Sequence, residues 1–503
     1  MNRVSGLILA LSVGIGLSAC ASSGATGGGG SAVAEARGGT KPSENKSTRE
    51  ASRAIGLAML RPDGEEKRAL YEQALQAALA SIQAEPGNPR GWFLAGQAYA
   101  NLGDMVAADT AFTKAVEIYP AYADEVDGER ENAWVMAYNE AVTAYQQNDM
   151  DGAIAKMEQA DRIFRKRPEA RLNLAAFYAQ RDEMDKAIEA YRGALEILRG
   201  PVPAGVDSAG RREWEENEQM ASLNLAQLLG SVGRYSEAEQ VYRDFLARRP
   251  DNLNAQISLA EMLAQQGKTA EAGEAFANLL SRTDLTDTNY LMIGVGLFRA
   301  EQYDQAAEAF RKAVAKNPYT RDGHYNLAQS LYVYAGKLEE ARKGAQGEEA
   351  KKIDAQLVSV HTELAASANK VLELDPGNRN ILAYLARAYQ SLSQLSPNAG
   401  ERQSYQAKVQ DVLKRHEAFI LEVDNISIQT GETQIRVNGT VKNLKVSAGQ
   451  PIRLRFTILG SAGQSLGSQE VTVSAPAAEQ STSFQAVIPV TGELAGWKYE
   501  ILN

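Results

Sequence analysis

The residue types that carry most protein chemistry are scarce in this chain. Its 503 residues hold one cysteine, Cys20, and three scattered histidines, His324, His361 and His416. A lone thiol closes no intramolecular disulfide and forms no redox pair, and histidines so far apart lack the spacing of a structural zinc site. Carboxylates are plentiful, 63 in all, but no two stand out as an acid and a base. No G-x-x-x-x-G-K-[ST] phosphate loop, no H-E-x-x-H and no G-x-S-x-G elbow occurs. No catalytic residue, metal ligand or cofactor is therefore assigned, the chain is read as a non-enzyme, and the three histidines are read as packing or surface residues. With 53 lysines and arginines against those 63 acids the net charge is -10, which leaves no electrostatic footprint for nucleic acid.

The chemistry that remains belongs to Cys20 and its surroundings. The chain opens Met-Asn-Arg, continues in an apolar run from Val4 to Gly16 and reaches Leu17-Ser18-Ala19-Cys20. A basic start, an apolar stretch too short to span a bilayer and small residues before a cut site make an export signal. Residues 17–20 resemble the bacterial lipoprotein box. The resemblance implies cleavage before Cys20, diacylation of its sulfur (palmitate being the usual chain) and, in many Gram-negative bacteria, acylation of the new amine. Two or more acyl chains anchor stably where one binds reversibly. Ala21, where an aspartate would imply retention at the inner membrane, implies passage to the outer membrane. The expected order is thus a signal peptide over 1–19 and, over 20–54, the lipidated cysteine and a Gly/Ser-rich flexible tether.

The elements that would position a site come next, and they repeat. From Pro89 the chain places Trp92, Ala95, Gly96, Tyr99, Ala108, Phe112, Ala115 and Pro120 at positions 4, 7, 8, 11, 20, 24, 27 and 32 of a unit. From Asp287 it places Tyr290, Ile293, Gly294, Leu297, Ala306, Phe310, Ala313 and Pro318 at the same offsets. These residues resemble the tetratricopeptide repeat (TPR) at nearly every consensus position. Other units begin near residues 55, 135, 168, 219, 253, 321 and 379, and the steps 219 to 253 to 287 to 321 are each 34. The recurring small residues at positions 8 and 20 mark where two antiparallel helices cross closely, and the larger ones fill the layer between pairs. The fold class is mainly α: a TPR α-solenoid of about eight helix pairs over 55–420, its end capped by a helix near residues 403–420. Extra residues interrupt the period after the unit at 89, around Gly200 and over 343–356.

The resemblance implies that positions 2, 5, 9, 12 and 13 of each first helix face a concave groove. Lysine and asparagine at positions 5 and 9, which clamp a terminal carboxylate in chaperone-binding members, are missing. The groove residues expected here are Phe93, Gln97, Leu291, Val295, Phe298, Tyr325, Gln329 and Tyr332, an apolar and aromatic lining suited to an amphipathic or extended peptide.

From Leu421 the period changes to two. Ile435, Val437 and Val441, then Ile452, Leu454, Phe456 and Ile458, alternate with polar residues, which predicts six or seven half-buried strands and a small sandwich over 421–503, able to fold by itself. The runs Gly439 to Asn443 and Phe456 to Gly460 are similar to small bacterial sandwich domains named for a Phe-x-Leu-Tyr-Asp run, with Leu459 and Gly460 in place of the tyrosine and aspartate. Together these readings imply a scaffold anchored by lipid to the periplasmic face of the outer membrane. It binds protein partners of the cell envelope in its groove, in assembly or secretion. The alternative is a polysaccharide- or peptidoglycan-binding subunit, or an envelope enzyme, working through the sandwich.

Overall fold

Helix pairs followed by strands make up the computed structural model, which describes residues 38–203, 206–431 and 433–502. The expected signal, Cys20 and the first part of the tether lie outside the described residues. Among the described residues eighteen helices form nine antiparallel pairs. They are α1 (Lys46–Met59) with α2 (Glu65–Ala84), α3 (Pro89–Leu102) with α4 (Met105–Ile118), α5 (Ala123–Gln146) with α6 (Met150–Ile163), α7 (Glu169–Gln180) with α8 (Met184–Leu198), and α9 (Ser208–Ser231) with α10 (Tyr235–Arg248). Then come α11 (Leu253–Gln265) with α12 (Thr269–Leu280), α13 (Asp287–Arg299) with α14 (Tyr303–Lys316), α15 (Arg321–Gly344) with α16 (Gly347–Leu374), and α17 (Ile381–Leu395) with α18 (Ala399–Glu417). The chain divides into two compact units, one ending at Arg248 and one beginning at Arg249.

The close crossing expected from the small residues is present. A methyl on Gly96 would lie 2.5 Å from the Phe112 ring, and one on Gly294 would lie 2.6 Å from the Phe310 ring. Both rings are buried, so the hydrogen at position 8 is what lets the aromatic at position 24 seat against the first helix. Elsewhere the same position is a fully buried Ala175, Ala226, Ala260 or Ala328. Short polar side chains start many helices. Asn88, Asp104, Asp149 and Asn252 each accept a backbone N–H of the following first turn.

One boundary differs from the sequence reading. The tether gives way to structure well before residue 54, because Asn45 and Thr48 form a reciprocal capping box and Ala51, Ala54, Ile55 and Ala58 are buried on one face of α1. Ahead of it the Thr40 N–H donates to the Ile118 carbonyl at 3.0 Å and the Ser43 N–H to Asn88 Oδ1 at 3.2 Å, so that strap is held to the second pair. The extra residues between repeats have mostly become helix. The first helices α5, α9 and α15 run to 24 residues each and α16 to 28, against 14 for α3 and α4.

The strands are β1 (Leu421–Thr430), β2 (Gln434–Asn443), β3 (Pro451–Leu459), β4 (Ser465–Ser474), β5 (Ser481–Pro489) and β6 (Gly496–Ile501). They form two antiparallel sheets with the orders β1-β2-β5 and β4-β3-β6. Alternate residues of β2, β3 and β5 point into a shared core, where the Phe456 and Phe484 rings stack at 5.1 Å. The strands touch the helix array at β6. Tyr499, 1% exposed, donates its hydroxyl to Asp375 Oδ1 at 2.8 Å and accepts the Gly377 N–H at 2.8 Å. Asp375 is itself buried and takes Arg321 Nη2 at 2.7 Å and Nε at 3.0 Å on its other oxygen. Burial, then the adjoining carboxylate, push the Tyr499 phenol well above its ordinary pKa, which keeps it a proton donor. The strands therefore share a buried polar network with the turn after α16, and that network belongs to the second compact unit as a whole.

Two stability measurements follow. Phe310→Ala should cost about 3–5 kcal/mol through a core cavity and Gly294→Ala about 1–3 kcal/mol through overpacking. The double variant, read from urea midpoints, should cost less than the sum, because the added methyl then has room; additivity within roughly 0.5 kcal/mol would disprove the crossing contact. Tyr499→Phe keeps the ring but strands Asp375 Oδ1 and the Gly377 N–H, at about 1–3 kcal/mol. An unchanged midpoint with unchanged amide exchange at Gly377 would show that the junction contributes nothing.

Candidate functional site

The expected groove residues meet two different fates. In the first compact unit Phe93 is only 2% exposed. Its ring lies 5.1 Å from Tyr122 and 6.1 Å from Phe112. Tyr122 belongs to a short 3-10 turn, Pro120–Tyr122, that leads into the lengthened α5. Farther along α5, Glu129 Oε1 accepts Gln97 Nε2 at 2.9 Å. Burial raises the Glu129 carboxyl above its usual range, with Gln97 pulling the other way. The last residue of the unit, Tyr122, thus covers position 5 and the extra residues of α5 cover position 9, so Phe93 is a core residue there, which corrects its assignment to an open groove surface.

In the second compact unit the positions stay accessible. Leu291, Val295, Phe298 and Tyr325 are half-buried flanks of the core, Gln329 is half-buried, and Tyr332 is 40% exposed. Phe298 meets Tyr303 edge-on at 5.1 Å, so part of its surface is used within its own pair. Tyr332 stacks on Tyr384 of α17 at 4.6 Å, and Tyr325 is tilted toward the same ring at 6.4 Å. Burial, then the two neighbouring phenols, push Tyr384 up to about 12. The result is a strip of three tyrosines with a planar, half-open face. Tyr384 was not among the expected residues. It occupies position 6 of the unit at 379, one step from the groove position, and only the stacking of neighbouring pairs brings it over Tyr332.

At the N-terminal ends of α13 and α15 the strip runs into a cleft of about 780 Å³. Leu291 and Tyr325 belong to both. The helix side adds Asp287, Arg321 and Arg379, and the opposite wall is β1, residues 422–426 and 428, together with Trp497 of β6. Arg379 Nη1 reaches Glu422 Oε1 at 3.3 Å, and its Nε donates to His416 Nε2 at 3.0 Å. No spacing rule links a period-two strand to a helix terminus, so nothing in the sequence pairs these walls.

His324 Nε2 lies 3.0 Å from the Pro318 carbonyl oxygen, and burial lowers its pKa. His361 is 1% exposed on α16, with Nε2 3.5 Å from Glu339 Oε1; burial lowers it too, against the pull of Glu339. Among the described residues no three or more His, Cys, Asp or Glu side chains are grouped to hold a metal ion, and no helix is long and apolar enough to cross a membrane.

Tetratricopeptide repeat profiles match residues 89–122, 144–204, 223–284 and 291–356. A comparison with curated proteins gave no match. Among solved structures the chain is similar to YrrB, described as a TPR protein with an unusual peptide-binding site, at 18% identity over 42% of this chain and 95% of that one, with a TM-score of 0.29. It is also similar to the C-terminal part of a TPR repeat-containing protein from Cytophaga hutchinsonii, at 15% identity over 53% and 98%, TM-score 0.32. A third is the complex of Naa15/Naa10 with HypK-THB, at 14% identity over 72% and 58%, TM-score 0.30. Scores near 0.3 carry no argument about function. The repeat matches, the helix pairs and the glycine–phenylalanine crossings agree: the chain carries tetratricopeptide repeats over these segments, followed by a small C-terminal β-region.

Proposed function

We propose that this protein is a lipid-anchored scaffold of the bacterial envelope and that it docks a partner protein along the tyrosine strip of its second compact unit. The repeat architecture supports protein–protein interaction. The observation that carries the choice of surface is the half-exposed Tyr332–Tyr384 stack, flanked by Phe298 and Tyr325, where the fold itself sets no requirement for aromatic side chains. Planar aromatics bury large area at small entropic cost and are favoured anchors at interfaces. The groove of the first compact unit is filled around Phe93, so the two units do not offer equivalent surfaces.

The anchor is proposed at Cys20. Its thiol is the only one in the chain, and acylation there would hold the protein at the periplasmic face of the outer membrane while the residues before the strap act as a spacer.

Cys20→Ser should release the protein from membranes in fractionation after a high-salt wash; sedimentation as before would rule the anchor out. Truncating a central aromatic commonly costs about 2 kcal/mol or more, roughly thirtyfold in affinity. Tyr332→Ala and Tyr384→Ala should therefore leave the thermal midpoint nearly unchanged and abolish capture of the native partner from crosslinked envelopes. Early melting with capture intact would make the tyrosines packing residues only.

A further inference from the structure

The cleft at the end of the tyrosine strip is lined unevenly by charge. Asp287, Asp322, Glu422 and Asp424 face it with only two cations, Arg321 and Arg379. Both guanidiniums already answer carboxylates. Arg321 bonds Asp375 and Asp322 at 2.7 Å each, and Arg379 bonds Glu422. Counting the buried Asp375 behind the wall, and Lys442, whose Nζ lies 3.9 Å from Glu422 Oε2, acids outnumber bases by five to three. The Asp424 carboxyl is pushed upward by burial and then by Glu422 and Asp375, against the pull of Lys442 and Arg321.

The second observation is backbone geometry. Among the described residues β1 is an outer strand of its sheet and pairs with β2 alone. Residues 422–426 and 428 line the cleft, so the unpaired side of an outer strand opens beside it. An outer strand leaves a row of N–H and C=O groups without partners, a ready template for another extended chain. The register with β2 shifts between Asp424 and Ser427, with Asn425 at φ 53°. Such a bulge re-aims side chains at a sheet edge. Tyr325 and Trp497 stand on the two walls, where aromatic faces can cover the stems of lysine or arginine.

We propose that this cleft takes an extended, lysine- or arginine-rich segment of the partner protein, added as a strand to the free edge of β1, with Asp424 and Asp287 answering its cations. The inference rests on the docking role given above and names the chemistry of the partner at the cleft end of the strip. Main-chain bonds to β1 supply register, and the carboxylates select charge.

The test uses the full chain and four fluorescein-labelled octapeptides: alternating lysine and valine, its glutamate twin, and two versions of the lysine peptide, one N-methylated at the odd amides and one at the even amides. At 0.15 M salt the lysine peptide should bind and the glutamate twin should not. One N-methyl isomer should lose roughly tenfold or more while the other binds nearly as before, because only one edge of an added strand bonds β1. Amide exchange should slow within residues 421–430, and Asp424→Asn and Asp287→Asn should each weaken the lysine peptide about three- to tenfold. Equal binding of the glutamate twin, equal losses for both isomers, or protection falling outside 421–430 would each overturn the proposal; release of the lysine peptide by millimolar spermidine with no change at 421–430 would reduce the cleft to a cation site. Partner capture that still depends on Tyr332 while β1 stays unprotected would sink this inference and leave the docking role standing.

Discussion

The whole architecture depends on how closely the two helices of a pair can approach. At Gly96 and Gly294 the first helix carries no side chain, and a phenylalanine from the second helix, Phe112 or Phe310, fills the space against its backbone. Alanine at the same position elsewhere is fully buried in the corresponding crossing. Once that contact is fixed, helix length, turn length and the repeat follow from it. Each pair buries one face in its own crossing and leaves another for the neighbouring pair. Phe276 is an example, since its ring lies against Gly296 of the next pair. Stability in such an array is local, so a change at one crossing is felt by its neighbours first.

That constraint explains why the added residues went where they did. A crossing tolerates no insertion, whereas a helix end does. The additions lengthened α5, α9, α15 and α16 beyond the repeat. Their consequences differ. Ahead of α5 the turn that ends the repeat sets Tyr122 onto Phe93, and Glu129 of the lengthened helix takes Gln97, which closes that surface. Beside α15 the adjoining pair delivers Tyr384 onto Tyr332 and leaves an aromatic strip partly open. One repeat unit can therefore serve as structure or as recognition surface, depending on what its neighbour carries.

The helix pairs were legible in the sequence because their packing is periodic: a small residue at position 8 and an aromatic at position 24 recur in the same frame. The strands were legible from alternation in β2 and β3. What could not be read is whatever depends on two elements meeting without a shared period. Tyr499 and Asp375 are 124 positions apart, and neither pattern hints that a strand tyrosine hydrogen-bonds to the turn after α16. The same holds for the cleft, whose walls are an outer strand and helix N-termini. Phe93 was misassigned for a related reason, since its groove position says nothing about a covering side chain supplied by the turn at the end of its own repeat. The strap before α1 was missed because Gly/Ser-rich composition outweighed the short capping signal at Asn45 and Thr48.

The central claim is that recognition is confined to the second compact unit, along the tyrosine strip and into the cleft beneath β1. Site-specific photo-crosslinking in living cells tests it most directly, with benzoylphenylalanine placed one position at a time at Gln329, Asn425 and Asn101. The account predicts the same crosslinked partner from Gln329 and Asn425, and none from Asn101, which lies on the helix that carries the covered Phe93. Crosslinking from Asn101 with none from Gln329 or Asn425 would contradict it.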